Sequence, residues 1–244
     1  MKPRGAKRGL PTGLAESPTV FFATLLAGML VVFAVAVFAI PPARAGEIPQ
    51  DAAEDLAASL DISPCVLRAV LEVESGGRGF LPSGKPVIVF EGQLFWKALR
   101  QRGMDPVPLG RKHPGIVYEK WTNRHYARGE KEYARLEEAM AIHKEAALGA
   151  TLWGAFQILG SNYKRCGYGD IAAFVEAQRT AQGQLRTFVA YLKANNLVEP
   201  LRKKDWRSFA RKYNGPSYAK NGYDKKLEAA YKRCVARQGR QRAQ

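Results

Sequence analysis

The sequence predicts a mainly α-helical fold of the α+β type, in which a helical bundle with a small β-hairpin region follows an N-terminal apolar segment. Three observations support this fold class. Apolar residues recur at helical spacing through most of the chain after residue 46. A single run, KPVIVFEG at residues 85–92, is rich in β-branched residues. A charge-free stretch, residues 19–40, precedes both patterns.

The first 45 residues are predicted to be a signal peptide or a membrane anchor. A basic N-terminus precedes the apolar span of residues 19–40, which is long enough to cross a bilayer. Ala43, Arg44 and Ala45 have the small-x-small form of a signal-peptidase site, with cleavage before Gly46. These residues are compatible both with cleavage of the N-terminal segment and with its retention. Either one places the following domain in the periplasm or cell wall, held at the inner membrane if the segment is retained.

The formal net charge of +16 predicts an anionic partner. Without residues 1–45 the charge is still +12. Export argues against nucleic acid as that partner, and the sequence contains no recognisable nucleic-acid-binding motif. A bacterial cell wall or an anionic membrane surface therefore fits the charge and the expected compartment better.

The three cysteines, Cys65, Cys166 and Cys234, allow at most one internal disulfide and leave one thiol over. Their spacing does not match that of a metal site. A bridge and three small buried apolar side chains are both compatible with the sequence, so the disulfide status is open at this point.

Helix signals define the first part of the exported domain. The stretch QDAAEDLAASLDI at residues 50–62 predicts a first helix. Ser63 and Pro64 form an N-cap and N1 pair that opens a second helix. Gly76 and Gly77 are expected to end that helix, because glycine adopts the left-handed conformation of a helix stop.

The rest of the domain is predicted from alternating strand, loop and helix patterns. The run at residues 85–92 predicts one arm of a small hairpin, and LFWKAL at residues 94–99 is helical again. A proline- and glycine-punctuated loop is expected over residues 103–115. The domain is predicted to span residues 46–237, with a frayed basic tail at residues 238–244. Helical patterns resume at residues 130–148, 171–179, 184–195, 205–213 and 224–238.

A glutamate lies within the apolar stripe of the second helix. At 100° per residue, one face carries Leu67, Val70, Leu71 and Glu74, whereas Glu72 points away from it. Desolvation on that face and the negative end of the helix dipole both raise the pKa of Glu74. A carboxyl that stays protonated near neutral pH suits a general acid for a glycosidic oxygen. A hydrogen-bonded core glutamate is the alternative.

Two later stretches contain the aromatic and amide side chains typical of saccharide sites. TLWGAFQILG includes Trp153 and Gln157, and ARKYNGPSYAKNGY includes Tyr213 and Asn214. Trp121 or Trp153 is a candidate platform for stacking on a sugar ring. Each assignment has a structural alternative, because Trp153 can belong to the core and Asn214 to a helix stop.

In this order the motifs resemble those of the lysozyme-like superfamily, which includes goose-type lysozymes and lytic transglycosylases. They are Glu-Ser-Gly-Gly at a helix end, then Gly-x-Phe-Gln-Ile, then Tyr-Asn-Gly. Within the superfamily, residues 62–231 are similar to the N-acetylmuramidase domain of bacteriophage endolysins and prophage-encoded muramidases. The similarity is carried by EVESGGRGFLPSGKPVIVFEGQLFWKAL, HPGIVYEKWTNRHYARGEKEYARLEEA, WGAFQILGSNYKRCGY and FARKYNGPSYAKNGYDKKLEAAY.

The resemblance implies a lysozyme-like fold around a sugar-binding cleft. The implied reaction is cleavage of the β-1,4 bond between N-acetylmuramic acid and N-acetylglucosamine. The resemblance assigns the catalytic acid to Glu74, and it implies that Tyr213 and Asn214 lie near that acid and the N-acetyl group of the sugar. Gln157 and Trp153 are expected to contact the glycan.

Glu91 is the candidate for a second catalytic group. It follows the apolar VIVF run, in the β-region that faces the first helix across a lysozyme-like cleft. Hydrolysis usually needs a second carboxylate, as nucleophile or as base for water. The alternative is a turn carboxylate that caps the next helix. Ser75 is expected to brace Glu74. The histidines are scattered, so no metal is expected, and no cofactor is implied.

The sequence therefore predicts an exported, monomeric peptidoglycan muramidase whose partner is the glycan strand of the wall. One alternative is a lytic transglycosylase, which can work with one acid and leaves a 1,6-anhydro product. The other is a module that binds the wall and has kept the fold without the reaction.

Overall fold

The computed structural model describes residues 48–76 and 78–242. The segment of residues 1–45, predicted to be a signal peptide or an anchor, lies outside the described residues. Within the described residues, no helix combines the length and the apolar character needed to cross a membrane.

The described residues form ten α-helices and a small antiparallel sheet, which confirms the mainly helical prediction. The helices are α1 (Gln50–Ser59), α2 (Pro64–Ser75), α3 (Gly92–Gln101), α4 (Pro106–Lys112), α5 (Lys131–Gly149), α6 (Ile171–Ala177), α7 (Ala181–Ala194), α8 (Val198–Arg202), α9 (Trp206–Tyr213) and α10 (Tyr223–Arg242). The strands are β1 (Ile88–Phe90), β2 (Thr151–Trp153) and β3 (Ile158–Leu159). Short 3₁₀ turns follow β3 and α9.

The ends of α2 lie where the capping residues predict them. The Ser63 side chain accepts a hydrogen bond from the Cys65 backbone N–H at 3.3 Å, and Pro64 is the first helical residue. Gly76 closes the helix with φ of 62°. The helix therefore stops one turn after its buried apolar stripe and leaves Glu74 in its last turn.

A disulfide between Cys65 and Cys234 joins α2 to α10 across 169 residues of sequence. Cys166 is the remaining thiol, and it is buried and free. Beside the bridge, the Arg233 guanidinium pairs with the Glu72 carboxylate at 2.5 Å. The helix that carries Glu74 is thus fixed to the last helix by a covalent bond and an ion pair.

The sheet has the order β1-β2-β3, with both pairs antiparallel. In its register Ile88 lies opposite Trp153, and Trp153 lies opposite Ile158. The run at residues 85–92 was expected to form one arm of a hairpin. It does so in part, because Phe80 bridges to Pro86 across a tight turn, but the strand itself pairs with β2, about sixty residues further along the chain.

Two predictions, one about a connecting loop and one about the C-terminal tail, are wrong. The expected loop at residues 103–115 contains α4, because Asp105 caps the Val107 N–H at 3.0 Å and Pro106 sits at the first helical position, where its missing N–H costs nothing. The basic tail from residue 238 was expected to fray, but α10 continues through Arg242.

An apolar core lies between the helices and the sheet. The chain's bulkiest fully buried side chains belong to it, and they come from β1, α3, the β2–β3 turn, α6, α7 and α9. These are Phe90, Phe95, Phe156, Phe174, Phe188 and Phe209. Aromatic residues from distant parts of the sequence therefore hold α9 and the β2–β3 turn in one unit.

Candidate active site

Glu74 projects from the last turn of α2 into a cavity, as the helix periodicity predicts. Burial raises the pKa of Glu74 from its ordinary value of 4.5 to about 7, and a hydrogen bond from Asn214 opposes this shift. Glu72, two residues earlier, is exposed to solvent. The direction predicted for the pKa of Glu74 is confirmed, with desolvation as its main cause.

The cavity beside Glu74 has a volume of about 750 Å³, within the range of ligand sites. Apolar side chains form one part of its wall: Phe80, Leu81, Pro82, Val87 and Val89. Polar groups and glycine complete the described lining: Glu74, Gln157, Arg78, Arg128 and Gly129. An apolar wall with a few convergent polar groups is suited to an organic ligand such as a sugar.

Asn214 contacts Glu74 directly. Its side-chain Nδ2 donates a hydrogen bond to Glu74 Oε1 at 3.1 Å, from the residue that follows α9. Its Oδ1 is buried and has no hydrogen-bond partner in the described part of the chain. A buried carbonyl oxygen without a partner is costly. Asn214 is absent from the described lining of the cavity, so its contact with the site runs through Glu74.

Tyr213 lies next to Asn214, but its hydroxyl is used within the protein. The hydroxyl donates to the Phe156 carbonyl at 2.6 Å, and the ring stacks on Phe209 at a centroid distance of 5.1 Å. Burial raises the pKa of Tyr213 well above its ordinary value. Tyr213 was expected to contact the substrate, whereas this geometry makes it a positioning residue that ties α9 to the β2–β3 turn.

Gln157 lines the Glu74 cavity from the β2–β3 turn. Its backbone has φ of 48°, a left-handed conformation that is uncommon outside glycine. Its side-chain Nε2 donates to the Gly154 carbonyl at 2.8 Å, which fixes the amide within the turn. The side-chain Oε1 therefore keeps its capacity to accept a hydrogen bond from a ligand.

Trp153 does not fit its predicted role as a sugar-stacking residue. Its side chain is 3% exposed, and its indole N–H donates to the Leu148 carbonyl at 3.2 Å. The cavity that it borders is also lined by Tyr133 and Met140 and does not include Glu74. Trp153 is a core residue, as its alternative interpretation held. Trp121, the other candidate, is 65% exposed, hydrogen-bonds to Tyr126 and is absent from the described lining of the Glu74 cavity.

Glu91 is buried at the N-terminus of α3 and accepts hydrogen bonds from two side chains. The Tyr126 hydroxyl lies 2.8 and 2.9 Å from its two carboxylate oxygens, and Gln93 Nε2 donates to Oε2 at 2.7 Å. Burial and the Glu91 charge together raise the pKa of Tyr126 above its ordinary range. Glu91 occupies the N-cap position of α3, as the capping alternative predicts, but its carboxylate makes no capping hydrogen bond to the helix backbone.

Strand alternation puts Glu91 on the same side of the sheet as Val87 and Val89, which line the Glu74 cavity. Glu91 itself is absent from that lining. The structure therefore places it outside the described lining of the cavity, in its own hydrogen-bonded cluster with Tyr126 and Gln93. The Ser75 side chain is outside the described part of the structure, so its bracing role stays a prediction.

Gln184, which no sequence motif indicated, organises the backbone around the cavity. This side chain on α7 is 1% exposed. Its Nε2 donates to the Gly79 and Gln178 carbonyls at 3.1 and 2.8 Å, and its Oε1 accepts from the Ala155 N–H at 2.8 Å. The available signal was Gly154: a Cβ there would lie 2.7 Å from Gln184, so this turn needs glycine.

A second missed feature is the buried pair of Glu132 and Arg135 on α5. Glu132 is 1% exposed and accepts the backbone N–H groups of Phe90, Ala127 and Arg128 as well as the Arg135 guanidinium. The pair therefore fixes the end of β1 and the loop that carries Arg128.

The residues of the described chain contain no group of three potential metal ligands.

Comparisons with known proteins agree with this architecture. The sequence model of the Muramidase family, described as N-acetylmuramidase, matches residues 63–235. The crystal structure of Burkholderia AP3 phage endolysin is similar, with a TM-score of 0.69 and 40% sequence identity. The similarity covers 80% of this chain and 74% of that chain. A search of curated proteins finds no match.

Proposed function

The chain belongs to the N-acetylmuramidase family, and from that premise we propose that it cleaves the β-1,4 bond between N-acetylmuramic acid and N-acetylglucosamine, with Glu74 as general acid. The family and the endolysin neighbour support peptidoglycan hydrolase activity. The single observation behind the assignment of Glu74 is a carboxyl with a pKa of about 7 in an open cavity.

In this mechanism Glu74 protonates the leaving oxygen of the glycosidic bond. Near neutral pH a large fraction of the carboxyl holds its proton, because burial disfavours the charged form. Asn214 donates to Oε1, so Oε2 is the oxygen that carries the proton towards the substrate. The Gln157 amide oxygen, which belongs to a residue of the cavity wall, then accepts a hydrogen bond from an N-acetyl or hydroxyl group of the glycan.

The experiment compares the full chain with its Glu74→Gln variant on purified peptidoglycan, with released fragments weighed by mass spectrometry. Reducing N-acetylmuramic acid ends are expected, and the variant should release them about 10²- to 10⁴-fold more slowly, the typical contribution of general acid catalysis. Glu72→Gln is the matched control, because it removes a carboxylate from the same helix and costs only an exposed ion pair. Equal release by both glutamate variants would refute the role of Glu74.

A lytic transglycosylase remains the second candidate, and one observation favours it. Among the described residues that line the cavity, Glu74 is the sole carboxylate, whereas both oxygens of Glu91 are engaged by Tyr126 and Gln93. Internal attack by the muramyl 6-hydroxyl needs one acid and no second carboxylate. The same mass spectra decide, since 1,6-anhydro ends would identify this reaction.

We also propose that the domain works outside the cytosol, with a cleaved or retained N-terminal segment as its export signal. The disulfide supports this compartment, because such bridges persist in oxidising environments and are rare in the cytosol. Retention of the segment would hold the domain at the inner membrane. The oxidation state of Cys65 and Cys234 in the cell tests the compartment.

A further inference from the structure

We propose that Arg78 and Arg128 form a clamp for the carboxylate groups of the peptide stem that muramic acid carries. The inference rests on the proposed function and names the part of the substrate that the Glu74 cavity recognises. It makes these two arginines specificity-determining residues for a peptide-bearing glycan rather than parts of the acid machinery.

Both arginines line the same cavity as Glu74 and are exposed to solvent. Neither guanidinium has a hydrogen bond, ion pair or ring contact with a described residue. Three arginines elsewhere in the domain, Arg68, Arg135 and Arg233, each pair with a glutamate. The cavity therefore contains two positive groups whose binding capacity the described fold leaves unused.

Arg128 is also held in an unfavourable backbone conformation. Its φ is 58°, and its N–H donates to Glu132 Oε2 at 3.2 Å. Arg135 and the Phe90 N–H fix that carboxylate from the other side. A left-handed non-glycine residue persists only where surrounding contacts enforce it, and such residues cluster at ligand-binding sites. The buried pair thus presents Arg128 at the cavity.

The substrate supplies the complementary charge. A chain of N-acetylglucosamine alone is neutral, whereas each muramic acid carries a lactyl group and a peptide with free carboxylates. The planar guanidinium binds a carboxylate through two parallel hydrogen bonds. Glu74 is not an ion-pair partner of either arginine, and its carboxyl accepts a hydrogen bond from Asn214 instead. The sugar ring would lie against the apolar wall while the stem reaches the arginines.

The test uses the full chain and its Arg78→Gln/Arg128→Gln double variant on three glycans. These are intact peptidoglycan, peptidoglycan whose carboxylates have been converted to amides, and glycan stripped of peptide by an amidase, which retains a lactyl carboxylate. On intact peptidoglycan the double variant should raise KM about five- to tenfold with kcat nearly unchanged. On the amidated substrate the variant and the parent should have the same KM.

The matched control is Arg237→Gln/Arg240→Gln, which removes two exposed positive charges from α10 away from the cavity. A similar rise in KM for the control would show a general charge effect and overturn the clamp. Loss of activity on all three substrates alike would also overturn it. If the double variant also raises KM on the stripped glycan, the assignment to the peptide stem is wrong, and the arginines bind the lactyl carboxylate instead.

Binding separates this proposal from the hydrolysis on which it rests. Co-sedimentation of the Glu74→Gln protein with intact and amidated peptidoglycan needs no turnover. If the parent releases no fragments while binding still depends on the two arginines and on free carboxylates, the proposed hydrolysis fails and the clamp stands. If cleavage occurs and replacement of both arginines does not change binding, the proposed clamp is wrong and the proposed hydrolysis is supported.

Discussion

Glu74 and Glu72 lie two residues apart in one helix and have opposite environments. Helix geometry alone separates them, since Glu72 is exposed beside Arg233 and Glu74 faces the cavity. Helix geometry does not reveal the partner of Glu74, because Asn214 lies 140 residues further along the chain, and only the resemblance to the lysozyme-like motifs placed Asn214 near it. The direction in which a side chain points follows from local helix geometry, whereas its hydrogen-bond partner depends on the whole fold.

The pKa of Glu74 predicts the pH dependence of the reaction. A general acid works in its protonated form, so kcat/KM should fall as pH rises through about 7, with a slope approaching tenfold per pH unit. The hydrogen bond from Asn214 lowers this pKa, so Asn214→Ala should move the falling limb to higher pH. Initial rates on peptidoglycan from pH 4 to 9 measure both effects.

Asn221→Ala is the control for this profile, because Asn221 is exposed on the loop before α10 and its removal should leave the limb in place. If kcat/KM instead fell around pH 4.5, burial would not determine the pKa of Glu74. A shift of the Asn214→Ala limb to lower pH would mean that Asn214 stabilises the protonated form of Glu74.

At the scale of elements, Gln184 connects the two chain segments that flank the cavity. Its amide reaches the Gly79 carbonyl just after α2 and the Ala155 N–H in the β2–β3 turn. Both segments approach it closely, since a Cβ on Gly79 or Gly154 would lie within 2.7 Å of its side chain. The position of the turn that carries Gln157 therefore depends on one buried amide of α7.

Gln184→Leu should destabilise the domain, because it leaves the Gln178 carbonyl and the Ala155 N–H without partners, while the Gly79 carbonyl still accepts from the Val87 N–H. Each unsatisfied group costs about 1–3 kcal/mol, so the free energy of unfolding should fall by about 2 kcal/mol or more. Urea denaturation measures the loss. Gln182→Leu, on the exposed side of the same helix, should change stability by about 0.5 kcal/mol at most. Equal effects of the two variants would contradict this role of Gln184.

Local signals were enough to predict most helices and the ends of α2. Ser63, Pro64 and Gly76 act through neighbours in sequence, so their roles are readable without a fold. The pairing of β1 with β2 depends on residues far away in the chain, and the sequence did not indicate it. The burial of Trp153 also depends on distant residues, and the sequence left it as one of two alternatives. The proline-rich α4 was missed because proline at N1 looks like a loop signal.

At the scale of the whole molecule, positive charge is concentrated near the C-terminus. Residues 202–242 contain 14 lysines and arginines and three aspartates and glutamates. Like charges on α9 and α10 repel each other, and screening by salt weakens that repulsion. The Cys65–Cys234 bridge and the Glu72–Arg233 pair oppose it by fastening α10 to α2. The helix that carries the candidate acid therefore depends on a bond that forms under oxidising conditions.

Replacement of Cys65 and Cys234 by alanine should lower the free energy of unfolding by about 2–5 kcal/mol, since the bridge closes a long loop of the unfolded chain. The loss should be larger at low salt, where repulsion around α10 is least screened. Urea denaturation at two salt concentrations measures both effects, with the buried free Cys166→Ala as control.

The same cysteines report the compartment, because thiols trapped in the cell and labelled after denaturation count the unpaired cysteines. Export predicts one labelled thiol, that of Cys166, whereas a cytosolic domain would show three. Three labelled thiols together with unchanged stability of the double alanine variant would mean that the bridge has no role in the working protein. One labelled thiol with the expected loss of stability would mean that α10 is secured to the Glu74 helix after the chain has left the cytosol.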